Sequence, residues 1–435
     1  MNGTLARRLW LAAFILLCCV GALYDVWKIR DWGDKLSPVD AYSEANALRE
    51  VDGFRAQGFW RDAGLGNVLF GPRYPDEGFP TTTGEELEHT LTPSGVYTHY
   101  PPGPEYLLYL AEAVLGPEPV SRLRLLPIAL GAAATTFFGL SVRRRFGAVA
   151  GWLVMLVSLT VVPFSDAYTS IHEFGYALAL LLVEIGVAIG RNRLRWPFLL
   201  LGFLQGWLSF DQIFLVVLTP LAVELSLPVI TPGYDPRWRL AMERCFVAGL
   251  GFTFAHLLHF VEVWAYFGSL SAAIADFKDS ARWRAANETD MVNGWSGTVI
   301  ANLGHYFFSR QPFALHLEYY TLHSFRFLRL TLGPAWLLVA LGFLAVAVSR
   351  IRSGLAAFNL LGRWVLMGLI GVVASSGWYV AMPAHAHHHI NLMYRHTILC
   401  FELWAIFLAV QAAGPIETWL SGWTGRTSAP TASTA

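Results

Sequence analysis

Asp40 and Glu44 stand one helical turn apart in a segment of mixed polarity and share a face of it. Two carboxylates held at a water–lipid boundary can serve as a general base and its partner. Asp40 also admits a structural reading. Ser37-Pro38-Val39-Asp40 reads as a helix start, with serine at the N-cap, proline at N1 and an acid at N3. A second group of residues follows in Val96-Tyr97-Thr98-His99-Tyr100-Pro101-Pro102-Gly103-Pro104-Glu105, where the prolines hold His99 and Tyr100 in an extended turn. A third group runs from Asp166 to His172-Glu173 and leads directly into an apolar run, and ionisable groups at the mouth of a span are functional candidates by default. A fourth lies late in the chain, where His385-Ala386-His387-His388-His389 precedes Tyr394-Arg395-His396. Arginine suits phosphate, because its planar fork matches phosphate oxygens and its charge is permanent. A divalent metal is the one cofactor these residues suggest, with His99, His172 and Glu173 as its candidate ligands. The same three side chains could instead orient a substrate.

The elements that must carry these residues are membrane helices. Of 435 residues 55% are hydrophobic and only 14% charged, well below the ~25% usual in soluble domains; mean hydropathy is +0.45. Apolar runs recur at the length a bilayer core demands, and in hydrocarbon every backbone polar group must be satisfied within its own segment, so the runs are helices. Ten spans are expected, near 9–25, 126–142, 149–164, 174–190, 196–210, 212–227, 243–264, 330–348, 364–381 and 397–413. The first is read as a retained span. The short arginine-rich turns at 143–145, 191–195, 237–239 and 350–363 alternate along the chain, which assigns that end to the cytoplasm. All 13 histidines then fall in outer loops or at the outer ends of spans.

The outer side holds two long segments, 26–125 and 265–329. In the first, Ala41, Ala45, Leu48, Val51 and Phe54 form a stripe at helical spacing that suits a helix lying on the membrane surface and stopping at Gly58. The apolar stretch 104–116 is too short for a span and reads as interfacial or re-entrant. In the second, Lys278, Arg282, Trp283 and Arg284 suit an amphipathic lid or sugar contacts. The chain divides into a first module, 1–227, a second, 228–423, and a Thr/Ser/Ala/Pro-rich tail, 424–435. Zero net charge gives no reason to expect nucleic acid. The four cysteines lie inside apolar runs and read as small hydrophobes.

The order of these features resembles the GT-C fold glycosyltransferases, in particular the protein-mannosyltransferase and aminoarabinose-transferase branch. A first span is followed by an acidic helix ending in Gly58, then His99-Tyr100-Pro101-Pro102, an apolar segment, a span, the basic turn Arg143-Arg144-Arg145-Phe146-Gly147 and another span. The resemblance covers residues 5–190 in order, with a weaker match near 385–400. It implies an all-α polytopic protein with juxtamembrane helices in a large first outer loop. It implies an Asp-Glu pair at the start of the outer helix. Counting back from Gly58 puts that pair at Ser43-Glu44, whereas Pro38 favours Asp40. It further implies a polar site residue at His99, an acidic one at His172 or Glu173, and a phosphate-holding arginine at Arg395.

No Gly-rich nucleotide loop is present, and an enzyme working outside the cytoplasm has no nucleotide pool, so a sugar donor there arrives on lipid. The expectation is a multi-pass enzyme of the cytoplasmic membrane with its site on the periplasmic or extracellular side. It would move a sugar from a polyprenyl-phosphate donor to a hydroxyl of a glycan, lipid or protein, with inversion. The alternatives are a transporter or lipid flippase, or a non-catalytic relative that binds polyprenyl lipids.

Overall fold

The structure, a computed structural model, describes residues 3–37, 41–70, 73, 92, 94–160, 167–190, 193–285, 355–375, 377–382 and 398–423. Fourteen helices carry nearly all regular structure among them: α1 (Gly3–Ile29), α2 (Ala41–Gln57), α3 (Gly103–Leu115), α4 (Val120–Leu123), α5 (Leu125–Phe146), α6 (Ala148–Thr160), α7 (Glu173–Ile189), α8 (Trp196–Leu208), α9 (Ile213–Ile230), α10 (Trp238–Phe267), α11 (Leu270–Ala285), α12 (Leu355–Ser375), α13 (Gly377–Ala381) and α14 (Ile398–Trp423). The only β pairing among the described residues is a single antiparallel bridge, Asn67 with Val96.

The fold is all-α, as expected. By length and composition, Val120–Phe146, Ile213–Ile230 and Trp238–Phe267 are each long and apolar enough to cross a membrane. Shorter apolar helices cover Ala148–Leu159, Trp196–Leu208 and Gly362–Ser375. The expected span at 330–348 lies outside the described residues. Apolar side chains cover the outside of the bundle, among them Leu16 and Leu23 of α1 and Phe246, Phe254 and Leu257 of α10. That pattern suits a lipid solvent.

Inside the bundle, Phe138 of α5, Leu182 of α7, Val216 of α9 and Phe407 of α14 belong to one continuous core. Helices α8 and α10 approach each other closely. Gly202 and Gly206 form a G-x-x-x-G step on α8, and a Cβ on Gly202 would run into the Ala248 carbonyl, while one on Gly251 would run into that of Leu199. Small residues let two backbones touch where lipid gives no hydrophobic drive to associate.

At one end of the bundle sits a cap made of α2, α3 and the loops around them. Gly58, at φ +91°, ends α2 where the sequence predicts. Helix α3 has 13 residues, starts on Pro102 and ends on Gly116 at φ +83°, so the stretch 104–116 does form a short helix that cannot span. One expectation is corrected. Helix α2 is not a half-exposed surface helix, because every residue from Glu44 to Val51 is buried. Ala47, Leu48, Val51 and Phe54 pack against Leu108 and Ala111 of α3, Leu123 and Ile171. The polar residues of α2 therefore need partners inside the cap.

Candidate active site

The partners of Glu44 come first. Arg124, at the α4–α5 junction, donates from Nη1 to Glu44 Oε1 and from Nη2 to Oε2, both at 2.7 Å. The backbone N–H of Ser37 donates to Oε2 at 2.7 Å and that of Ile171 to Oε1 at 3.0 Å. Both side chains are fully buried. Arg124 also donates to the carbonyls of Thr169 and Lys35 and lies over the Trp32 ring. The pair therefore joins four stretches of chain: the loop before α2, α2 itself, the start of α5 and the loop before α7. Glu44 also takes the Ser37 N–H, the donor that a capping-box acid would take. Four donors around one carboxylate describe an anchor more than a base waiting for a substrate proton.

Six residues further along α2 stands Glu50, buried, two turns from Ser43 on the same face. Burial, and then the neighbouring charge of Glu105, push the Glu50 carboxyl well above the ordinary range; His172 pulls it back toward the charged form. Glu105 lies in the first turn of α3, and its Oε1 is 3.4 Å from His172 Nε2. His172 caps the start of α7 and Glu173 is that helix's first residue, buried. Helix N-termini favour negative charge, so α3 and α7 both aim a positive end at this cluster. Gly66 closes the cluster on one side; a Cβ there would overlap the Glu50 carboxyl. Tyr106 donates to the Gly64 carbonyl at 2.9 Å, and burial and the nearby Glu262 push its phenol up, so it stays a proton donor.

His99 and Tyr100 face another way. His99 Nε2 is 3.8 Å from Asp276 Oδ1 of α11, and Thr98 Oγ donates to the same oxygen at 3.1 Å. His259 of α10 bonds the Thr98 carbonyl at 2.9 Å. Tyr100 stacks on Tyr97 and packs against Phe210. The loop before α3 is thus clasped by α10 and α11.

His99, His172 and Glu173 are not grouped as metal ligands among the described residues. His99 pairs with Asp276 while His172 pairs with Glu105, and among the described residues no group of three or more His, Cys, Asp or Glu stands where it could hold a metal. Asp40, Asp166, Arg395 and His396, with His385 to His389, lie outside the described residues.

Sequence reasoning missed Glu50, Glu105 and Arg124. Glu50 stands in Arg49-Glu50-Val51-Asp52, which reads as a polar helix face. The available signal was its spacing of seven from Ser43, the position at which the resemblance implies an acid.

No family model matches the chain. No curated protein matches it either. Among solved structures, the Archaeoglobus fulgidus oligosaccharyltransferase in complex with Zn and sulfate aligns over 95% of this chain and 50% of its own, at 12% identity and TM-score 0.44. The same protein tethered to an acceptor peptide with an NVT sequon aligns at TM-score 0.41 and 13% identity, covering 94% of this chain and 50% of its own. ArnT from Cupriavidus metallidurans in the apo state aligns over 98% of this chain and 82% of its own, at 13% identity and TM-score 0.30. Both proteins are GT-C fold glycosyltransferases. This chain spans about half the length of the oligosaccharyltransferase it matches.

Proposed function

We propose that the chain is a membrane glycosyltransferase that moves a sugar from a polyprenyl-phosphate donor to an acceptor hydroxyl on the non-cytoplasmic face. The observation that carries this reading is the Glu50–Glu105–His172 cluster, with one carboxyl shifted toward neutrality by burial and a like charge. Such tuning is how a carboxylate becomes a base matched to its working pH. The order of motifs that resembles the GT-C glycosyltransferases supports the choice of reaction, and the missing nucleotide loop supports a lipid-borne donor.

In this reading the acceptor hydroxyl gives its proton to Glu50. Its oxygen bonds to the anomeric carbon as the bond from that carbon to the phosphate oxygen breaks. The electron pair leaves with the polyprenyl phosphate, and in-line displacement inverts the configuration. His172, beside Glu105, is the positioning residue for the base. Arg395 and His396 are proposed to hold the departing phosphate. Asp40 is the competing base and is tested with Glu50. No step is assigned to a metal.

The test is reconstitution of the full chain with radiolabelled polyprenyl-phosphate sugars and native membrane extract, comparing wild type with Glu50→Gln, Asp40→Asn and Arg395→Ala. Sugar released from lipid by wild type and lost in Glu50→Gln supports both the reaction and its base. Loss in Asp40→Asn with Glu50→Gln unaffected moves the base to Asp40. No release from any donor, with lipid still bound, sinks the transferase reading in favour of a lipid flippase or binding protein.

A further inference from the structure

At the far end of α7 from His172, 17 residues and about 25 Å along the helix axis, the chain builds a second polar site. Four elements meet there: α5 in its last turn at Arg145, α7 at its end at Ile189, α9 in its last turn at Leu227, and α10 at its start. Arg145, Glu224, Tyr234, Arg237 and Arg244 line the recess between them. Arg244 is buried and forms its floor, lying over the Phe198 ring. Arg237 is exposed and Arg145 partly so, at the mouth. Arg145 lies over the Tyr234 ring.

The one carboxylate that lines the recess is engaged. Glu224 Oε1 accepts from the Tyr234 hydroxyl at 2.8 Å and from the Arg237 backbone N–H at 2.6 Å. The recess thus carries an excess of two positive charges, by three arginines against one glutamate. Like charges beside a low-dielectric wall repel strongly, and a bound anion relieves this. The enclosed part has room for about one water, so the anion sits at the mouth, between Arg145 and Arg237.

We infer that this recess binds a phosphate group at its mouth, and that its source is the headgroup of an anionic phospholipid. The site opens at the end of a lipid-facing bundle, and basic pockets between spanning helices take such headgroups. It is separate from the proposed transfer site and does not depend on it.

The test uses the full chain in detergent, with phosphatidylglycerol, phosphatidylcholine or sodium phosphate added and bound lipid counted by native mass spectrometry. Wild type is expected to hold phosphatidylglycerol about tenfold more tightly than phosphatidylcholine, the difference that one charge-assisted hydrogen bond makes. Arg145→Gln and Arg237→Gln should each abolish that preference. Arg144→Gln removes the same charge from the same turn but outside the recess, and should keep it. Arg237 is exposed, so its variant folds even if that of Arg145 does not. Displacement of the lipid by millimolar phosphate would overturn the lipid source and assign the recess to the free ion. Equal retention of both lipids by wild type, or equal effects of Arg144→Gln and Arg237→Gln, would overturn the site.

Discussion

Arg124 grips Glu44 with both terminal nitrogens, each 2.7 Å from its own carboxylate oxygen, and neither side chain touches solvent. Eighty residues of chain separate the two. The pair fixes where α2 enters the cap relative to the starts of α5 and α7, and so where Glu50 stands relative to Glu105 and His172.

Breaking such a pair leaves a buried charge without its counter-ion, at a cost of about 3–5 kcal/mol. Arg124→Met should therefore lower the thermal unfolding midpoint of the detergent-solubilised protein markedly, with loss of monodisperse material. Arg124→Met combined with Glu44→Gln should recover part of that loss, because the uncompensated charge is gone while the amide oxygen can still accept a backbone N–H from Ser37 or Ile171. A double variant no more stable than the single one would mean that the uncompensated charge is not what destabilises the single variant.

Glu50→Gln separates chemistry from folding. The carboxyl is already pushed toward its neutral form by burial and by Glu105, so an amide of the same shape should leave the unfolding midpoint unchanged or raise it. Turnover should fall at least about a hundredfold, as loss of a positioned base requires. A Glu50→Gln protein that keeps its turnover removes Glu50 from the mechanism.

The pH dependence follows from the same neighbours. A base works when deprotonated, so kcat/KM should rise with pH through a limb set above the ordinary glutamate range of about 4.3. Glu105 raises the Glu50 value, so Glu105→Gln should move that limb to lower pH. His172 lowers it, so His172→Gln should move the limb to higher pH. Stability has the opposite dependence. A carboxyl raised in the folded state stabilises below its unfolded value and loses that contribution as pH rises through its folded value. Wild type should thus lose stability with rising pH over a range where Glu50→Gln does not, measured as unfolding midpoint against pH.

Gly66→Ala tests the fit around the carboxyl. The added Cβ would fall on the Glu50 carboxyl group, so that group has to swing aside. The backbone bond from Tyr97 N–H to the Gly66 carbonyl, 2.9 Å, is unaffected by a methyl group. Displacing a reacting group by about 1 Å costs up to a hundredfold in rate. Turnover should drop at least tenfold with the unfolding midpoint nearly constant; an unchanged rate would place the chemistry away from this face of α2.

The helices themselves are legible from residue types. Proline and glycine punctuation sets α3 between Pro102 and Gly116, and Gly58 ends α2, because these residues fix or free the backbone locally. The start of α7 at His172-Glu173 is readable in the same way, from ionisable residues meeting an apolar run. The two faces of α2 are not. Its Ala, Leu, Val and Phe stripe predicts one buried side, and Arg49, Glu50 and Asp52 look like the solvated one. That prediction fails because α2 sits inside a cap, and Arg73 reaches Asp52 at 2.5 Å and the Leu48 carbonyl at 2.7 Å to satisfy that side.

What the sequence by itself determined was the solvent and the ends of helices. Hydrocarbon length, proline and glycine act within a turn or a single span, so their consequences can be read locally. Which partners each carboxylate of α2 meets was decided only by tertiary structure. Glu44 and Glu50 are the same residue type on one helix. They differ because Arg124, Ser37 and Ile171 arrive at the first, while Glu105 and His172 arrive at the second. A carboxyl's proton affinity is set by the charges and donors within a few ångströms of it, and nearly all of these come from chain dozens of residues away.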